Sequence, residues 1–177
     1  MNLKKAQIIG FVFTVLFGTL LHFTYEWSGY NPYFGLFSAV NESTWEHLKL
    51  LYVPMLFFGV VEYLTYGKHI KSFIQIRFLS ILLGMAVIIV GFYTYTGITG
   101  NHYLIIDILL FIAAVFFAYY FSYKLLQTDK FSSRIFKWLA IIGILLLIYF
   151  SITFTYSPPH IPLFFDTESG IYGLKGT

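Results

Sequence analysis

Five histidines and eight carboxylates carry most of the chemistry open to this chain, and they are bunched where its long apolar runs end. His22 and Glu26 close the first run. Glu42, Glu46 and His47 open the second, His102 and Asp107 open the fourth, and His160, Asp166 and Glu168 follow the last. Histidine, aspartate and glutamate together can ligate Zn²⁺ or a similar divalent ion, and they can also serve as general base and acid. On that chemistry His22, His47 and His160 are the candidate metal ligands. Glu46, Asp107 and Asp166 are the candidate catalytic carboxylates, with Glu46 as the base and Asp107 or Asp166 orienting or binding. Asp107 stands out because it lies inside an apolar run, where an ionisable group is costly and is usually functional or paired. The expected partners are His22, His47 and Lys49.

The same residues admit structural readings. Ser43-Thr-Trp-Glu46 fits a capping box, in which Ser43 caps a helix and Glu46 reaches back to its backbone. His22 and Glu26 are four apart and can pair on one helix face. Lys49 can serve as a plain counter-ion. Glu62, near the other end of the second run, has Lys68, Lys71 and Arg77 within reach for an ion pair, and His69 sits among lysines in a loop.

These groups depend on the elements that hold them. The chain has 177 residues, 58% of them hydrophobic and only 11% charged, against roughly 25% charged in an ordinary soluble domain. A chain this short cannot hide so much apolar surface from water, so its solvent is expected to be lipid. Aromatic residues reach 22%, and Tyr and Trp favour the membrane interface. There is no cysteine, which excludes disulfides, thiolate-bound zinc and thiol nucleophiles. The net charge of +3 follows the loops and forms no basic stripe, so no nucleic-acid partner is expected.

Five apolar stretches, at about 6–25, 45–66, 73–96, 102–126 and 134–156, are each long enough for a helix that spans a bilayer. The fold expected is therefore an all-α integral membrane bundle of about five transmembrane helices, one domain over residues 1–177. The run from Ala6 to Phe23 exceeds the h-region of a signal peptide, about 7–15 residues, and is read as a retained helix. Nine of the eleven Lys and Arg, namely Lys4, Lys5, Lys68, Lys71, Arg77, Lys124, Lys130, Arg134 and Lys137, alternate consistently with the spans. The positive-inside rule then puts the amino end inside and the carboxyl end outside a cell membrane. Ser80, Gly84 and Gly91 on the third run, and Ala114, Ala118 and Ser122 on the fourth, form small-residue stripes suited to close helix packing. The outer loop at 26–44 and the outer tail at 157–177 are too apolar for disordered connectors, and the tail is expected to fold back over the bundle.

The segment His-Phe-x-Tyr-Glu-Trp-Ser-Gly-x-Asn-Pro from His22, followed by Gly-Leu-Phe-Ser-x-Val-Asn-Glu-Ser-Thr-Trp-Glu-His-Leu-Lys, together with Gly97-Ile-Thr-Gly, Asp107 and Pro159-His-Ile-Pro-Leu-Phe-x-Asp, resembles a family of small prokaryotic multi-spanning membrane proteins catalogued as a domain of unknown function. That resemblance covers nearly the whole chain and implies a membrane location without supplying an activity. Locally, Asn41-Glu-Ser-Thr-Trp-Glu-His47 is similar to an Asn-Glu-Thr…Trp-Thr-His motif of the progestin and adipoQ receptors, grouped with the alkaline ceramidases as seven-helix proteins with a histidine-bound zinc. Here the last helix has no histidine pair, and only His160, beyond it, stands near the place of those ligands.

Two functions are carried forward. One is a metal-assisted hydrolase acting on a lipid or another amphiphile, with a divalent metal such as zinc. The other is a non-catalytic membrane protein, a small-solute or ion carrier or an accessory subunit, whose polar groups form a structural network. The middles of the third and fifth runs offer almost no polar group for a path through one chain. The orientation itself is testable, because single cysteines can be placed on a cysteine-free background. Cysteines at positions 98 and 170 are expected to react with a membrane-impermeant thiol reagent on intact cells, and one at 132 is not; the opposite pattern inverts the topology.

Overall fold

The computed structural model describes residues 2–174, and among these the regular structure is all helical. Five long helices run in order: α1 (Leu3–Trp27), α2 (Thr44–Thr65), α3 (Phe73–Thr99), α4 (Leu104–Leu125) and α5 (Arg134–Tyr156). All five are long and apolar enough to cross a membrane, and together they make a multi-pass membrane protein. Three short 3₁₀ turns lie between or after them, at Phe34–Leu36, Gly67–His69 and Pro162–Phe164.

The helix ends are set by local chemistry. Asn2, Ser43 and Ser133 each cap a helix by accepting a backbone N–H two or three residues on, satisfying a donor that has no partner within the helix. Gly100 ends α3 with a left-handed backbone, φ 74°, which only a residue without Cβ adopts cheaply. Pro158 and Pro159 follow the last turn of α5 and cannot continue it.

Helices α1, α2, α3 and α4 close into a ring in which each packs on two neighbours, and α5 lies outside the ring against α3. Leu48, Leu51, Met55, Ile81, Met85, Ala114, Val115 and Ala118 fill its centre. The small residues of the sequence stripes sit at the contacts. A methyl group placed on Gly84 would stand 2.8 Å from Leu51 and 3.3 Å from the Cβ of Ala118, so α3 approaches α2 and α4 as closely as side chains permit. Helix α1 does the same to α2 at Gly18, which lies directly against the Leu50 carbonyl. Pro54, four residues on and inside α2, has no N–H to offer that carbonyl, so an approaching Cα–H is the contact left to it.

Among the described residues, two ion pairs are buried in this apolar frame, each with its carboxylate on α2. Lys49 and Glu46 pair at one end at 2.5 Å. Arg77 and Glu62 pair at the other, with Gln7 of α1 and the Tyr66 hydroxyl also bonded to Glu62. Of the three cations in reach of Glu62, the structure selects Arg77, whose guanidinium also lies over the Tyr119 ring, 5.0 Å from its centre. His69 is exposed in its loop. Sixteen residues of α2 separate Glu46 from Glu62, about 24 Å along the axis at 1.5 Å per residue. Removing one member strands a buried charge, so Arg77→Met is expected to cost about 3–5 kcal/mol. The thermal melt in detergent measures it. The double variant Glu62→Leu/Arg77→Met should recover much of the loss; a double variant as unstable as the single one would show that the pair does not act as a unit.

Candidate functional site

Where α1 ends and α2 begins, three side chains converge. His22 projects from the last turns of α1. Glu42 precedes the Ser43 cap of α2, and His47 lies in the first turn of α2. His47 Nε2 is 3.3 Å from Glu42 Oε2, and His22 Nε2 is 4.0 Å from Glu42 Oε1. The two imidazole rings lie 5.3 Å apart, centre to centre. One ligand atom from each residue falls within 4.8 Å of the other two. All three side chains are about one third exposed, so the cluster is open at the end of the bundle.

The cluster is oriented from behind. His47 Nδ1 lies 2.9 Å from the Ser43 carbonyl. A carbonyl only accepts, so Nδ1 carries a proton in either charge state: the protonated ring donates Nε2–H to the Glu42 carboxylate, and the neutral ring leaves the Nε2 lone pair free for a ligand. His22 Nδ1 is buried without a protein hydrogen-bond partner, so no neighbouring acceptor fixes the His22 tautomer as the Ser43 carbonyl fixes that of His47. The hydrogen bond from His47 holds the Glu42 carboxyl below the usual range, against the opposing effect of burial. In a tetrahedral zinc site with bonds of 2.0–2.1 Å, neighbouring ligand atoms stand roughly 3.3 Å apart. The Glu42–His47 pair already has that spacing, and His22, 4.0 Å from Glu42 and with all three ligand atoms within 4.8 Å of one another, needs to close by up to about 1.5 Å.

The tail braces this loop. Phe164 is buried against Trp45 and Phe154, with ring centres 5.0 and 5.1 Å away. Beyond it, residues 165 and 172 form an antiparallel bridge around a turn in which Gly170 takes φ 71°. Asp166, fully buried, fills the inside of that turn. Its carboxylate accepts from the Ser169 hydroxyl at 2.5 Å, from Glu168 N at 2.9 Å and from Ser169 N at 3.2 Å. The Glu42 backbone N–H faces it as well and helps to hold its pKa down. Burial raises the Asp166 pKa, but these hydrogen bonds outweigh it and leave the group below its ordinary value. Asn41 completes the seam, its side-chain amide donating to the Gly173 carbonyl at 2.7 Å.

The other sequence candidates occupy separate networks. Glu46 is only 2% exposed and accepts from Lys49 and from Val40 N at 3.1 Å. The capping box is thus half formed: Ser43 Oγ accepts from Glu46 N at 3.4 Å, while Ser43 N donates to Asn41 at 2.9 Å and not to Glu46. Asp107 does not meet His22, His47 or Lys49. It accepts from the Tyr95 hydroxyl and faces His102 Nδ1 at 3.5 Å. His160 stacks on Tyr172, with ring centres 4.5 Å apart, and lies outside the cluster. His22 turns to Glu42 in preference to Glu26.

A family model described as a family of unknown function, DUF6512, matches residues 1–174. The chain belongs to that family. No curated protein and no solved structure matches it. In this DUF6512 chain the cluster is assembled from residues 20 and 25 positions apart in sequence, which explains why Glu42 is easily passed over. It is one of several carboxylates at that end, and only its place immediately before the Ser43 cap, five residues from His47, sets it apart. Tyr95, the partner of Asp107, carries no signal in the sequence at all.

The seam gives a pH test. Asp166 has its pKa lowered on folding, so its contribution is present above the ordinary value of 3.8 and is lost as pH falls through and below it. The tail beyond Ser157 is expected to resist protease at neutral pH and to be clipped by pepsin below that value. Asp166→Asn should make it cleavable by chymotrypsin at pH 7. A tail equally resistant in both cases would remove Asp166 from the seam.

Proposed function

We propose that this membrane protein binds a divalent metal of the zinc class through His22, Glu42 and His47, and uses it for metal-assisted hydrolysis of a lipid or other amphiphile at the membrane surface. The observation that carries the reading is the convergence of two imidazoles and one carboxylate within ligand-to-ligand distance, at an open end of the bundle. Two nitrogens and one carboxylate oxygen leave a fourth position of a tetrahedral ion to water or substrate, the arrangement of catalytic and not structural zinc sites. An ion held there would lower the pKa of a bound water and polarise an ester or amide carbonyl. Of the nearby carboxylates, Glu46 and Asp166 are committed to internal hydrogen bonds. The exposed Glu168 lies within electrostatic reach of His22 and is the group left free to take a proton. The location follows from the topology read in the basic residues: a cell-membrane protein with the cluster on its outer face.

Purified protein stripped of metal and titrated with Zn²⁺ is expected to take up one ion per chain. His22→Ala, Glu42→Gln and His47→Ala should each weaken uptake by about tenfold or more, while His160→Ala should leave it unchanged. Affinity should fall as pH is lowered, because a protonated imidazole is no longer a ligand. A protein that retains no zinc, or one whose uptake is indifferent to all three substitutions, would leave the cluster as a hydrogen-bonded network and favour the non-catalytic alternative.

A further inference from the structure

Asp107 stands on α4 one helical turn before Leu110, which lines an open apolar groove between α3 and α4. Its carboxylate is 29% exposed and is held from one side by the Tyr95 hydroxyl, itself pinned by the Tyr103 N–H at 3.2 Å. Gly91 precedes Tyr95 by four residues and Leu110 follows Asp107 by three. Each therefore lies on the same helix face as its polar neighbour, one turn deeper into the bundle. Gly91 and Leu110, with Ala86, Val87 and Val90, line a groove of about 420 Å³. The absent side chain at Gly91 lets Leu110 close against the α3 backbone, since a Cβ there would stand 2.5 Å from Leu110. The groove walls on α3 and α4 belong to two of the helices long and apolar enough to cross a membrane, so the groove faces lipid.

An anionic group above an apolar trough has the polarity of a lipid site, and the local charge selects the headgroup. From Phe78 to Tyr123 the chain contains no Lys or Arg. Among the described residues, His102 is the one basic side chain paired with Asp107. A phosphate without a compensating ammonium group would meet a carboxylate and no fixed cation; an ammonium group would meet its complement, strengthened by the weak screening at the membrane boundary.

We propose that the groove holds a phospholipid with an ammonium headgroup, one acyl chain lying against Ala86, Val90 and Gly91 and the ammonium group on the Asp107 carboxylate. The proposal is independent of the metal reading, and no arm of its test contains zinc. Delipidated protein in mild detergent is titrated with phosphatidylethanolamine and, separately, with phosphatidylglycerol of the same chains, and bound lipid is counted by native mass spectrometry. The wild type is expected to prefer the ethanolamine lipid by about tenfold, a margin that one desolvated ion pair can supply. Asp107→Asn should reduce the preference to within about twofold, and Asp107→Glu, which keeps the charge, should retain it. Ala86→Phe, which fills the trough, should weaken both lipids by about fivefold or more. Melting temperatures of the variants separate lost binding from lost fold. Equal binding of the two lipids by the wild type, or an undiminished preference in well-folded Asp107→Asn, overturns the proposal. So does a dimer that lipid fails to displace and Ala86→Phe dissolves, which would make the groove an interface between two copies of the chain.

Discussion

An ammonium ion can be held inside an apolar bundle only if every proton on it finds an acceptor, and Lys49 meets that condition. Its Nζ donates to Glu46 at 2.5 Å, to Thr155 at 2.5 Å and to the Gly35 carbonyl at 2.8 Å, with no exposed surface. Those acceptors come from α2, from α5 and from the 3₁₀ turn of the first loop. One charge thereby fixes the last helix and the loop to the second helix. Glu46, which Lys49 neutralises, also accepts the Val40 N–H, and Val40 packs with Tyr25 and Leu174. The loop therefore enters α2 along a defined path, and Glu42 is delivered to the two histidines. Losing either ion of such a pair strands the other in a medium that cannot solvate it, so the open end of the bundle stands or falls with this contact.

The two buried pairs divide the labour along α2. Both lie toward the ends of the helix, and the ring between them is filled by Leu48, Leu51, Met55, Ile81, Met85 and Val115. Polar groups at intermediate depth include two side-chain pairs, Tyr52 with Ser151 and Thr14 with Tyr119 at 3.0 Å, and Ser80, whose hydroxyl donates to the Ile76 carbonyl of its own helix. An apolar centre is thus flanked by a buried ion pair at each end. Along its axis the ring therefore offers few exchangeable polar groups between the two pairs.

The tail matters for a related reason. A cluster supplied by a loop is only as well defined as the loop, because ligand geometry must be held within a fraction of an ångström. The first loop has two short helical pieces of support, at Phe34–Leu36 and at the α2 cap. The rest comes from the tail, through Asp166 to the Glu42 backbone and through Gly173 to Asn41. Pro158 and Pro159 turn the chain sideways, Phe164 anchors it in an aromatic pocket with Trp45 and Phe154, and the buried carboxylate of Asp166 stitches the two segments together.

Much of this architecture was legible in the sequence. Five apolar runs with so few charges have one low-energy solution in lipid, a bundle of helices, because each helix satisfies its own backbone hydrogen bonds. Ser43 marks the start of α2, and the paired prolines mark the end of α5, by local sterics and hydrogen bonding alone. The crowding of histidines and acids at one end was visible too, as was the reach of Arg77 to Glu62. What the sequence by itself could not decide was partnership. Depth along a helix follows from residue number, but the azimuth at which helices face one another depends on packing across the ring. Lys49, Asp107 and His47 begin at similar depths. Packing turned Lys49 toward Glu46 and α5, set Asp107 against Tyr95 and His102, and left His47 beside His22 and Glu42. The fold of the tail separated His160 from the other histidines in the same way, placing its ring on Tyr172. The residue types were determined by sequence, and their company was determined by the rotation of five helices that only tertiary packing sets.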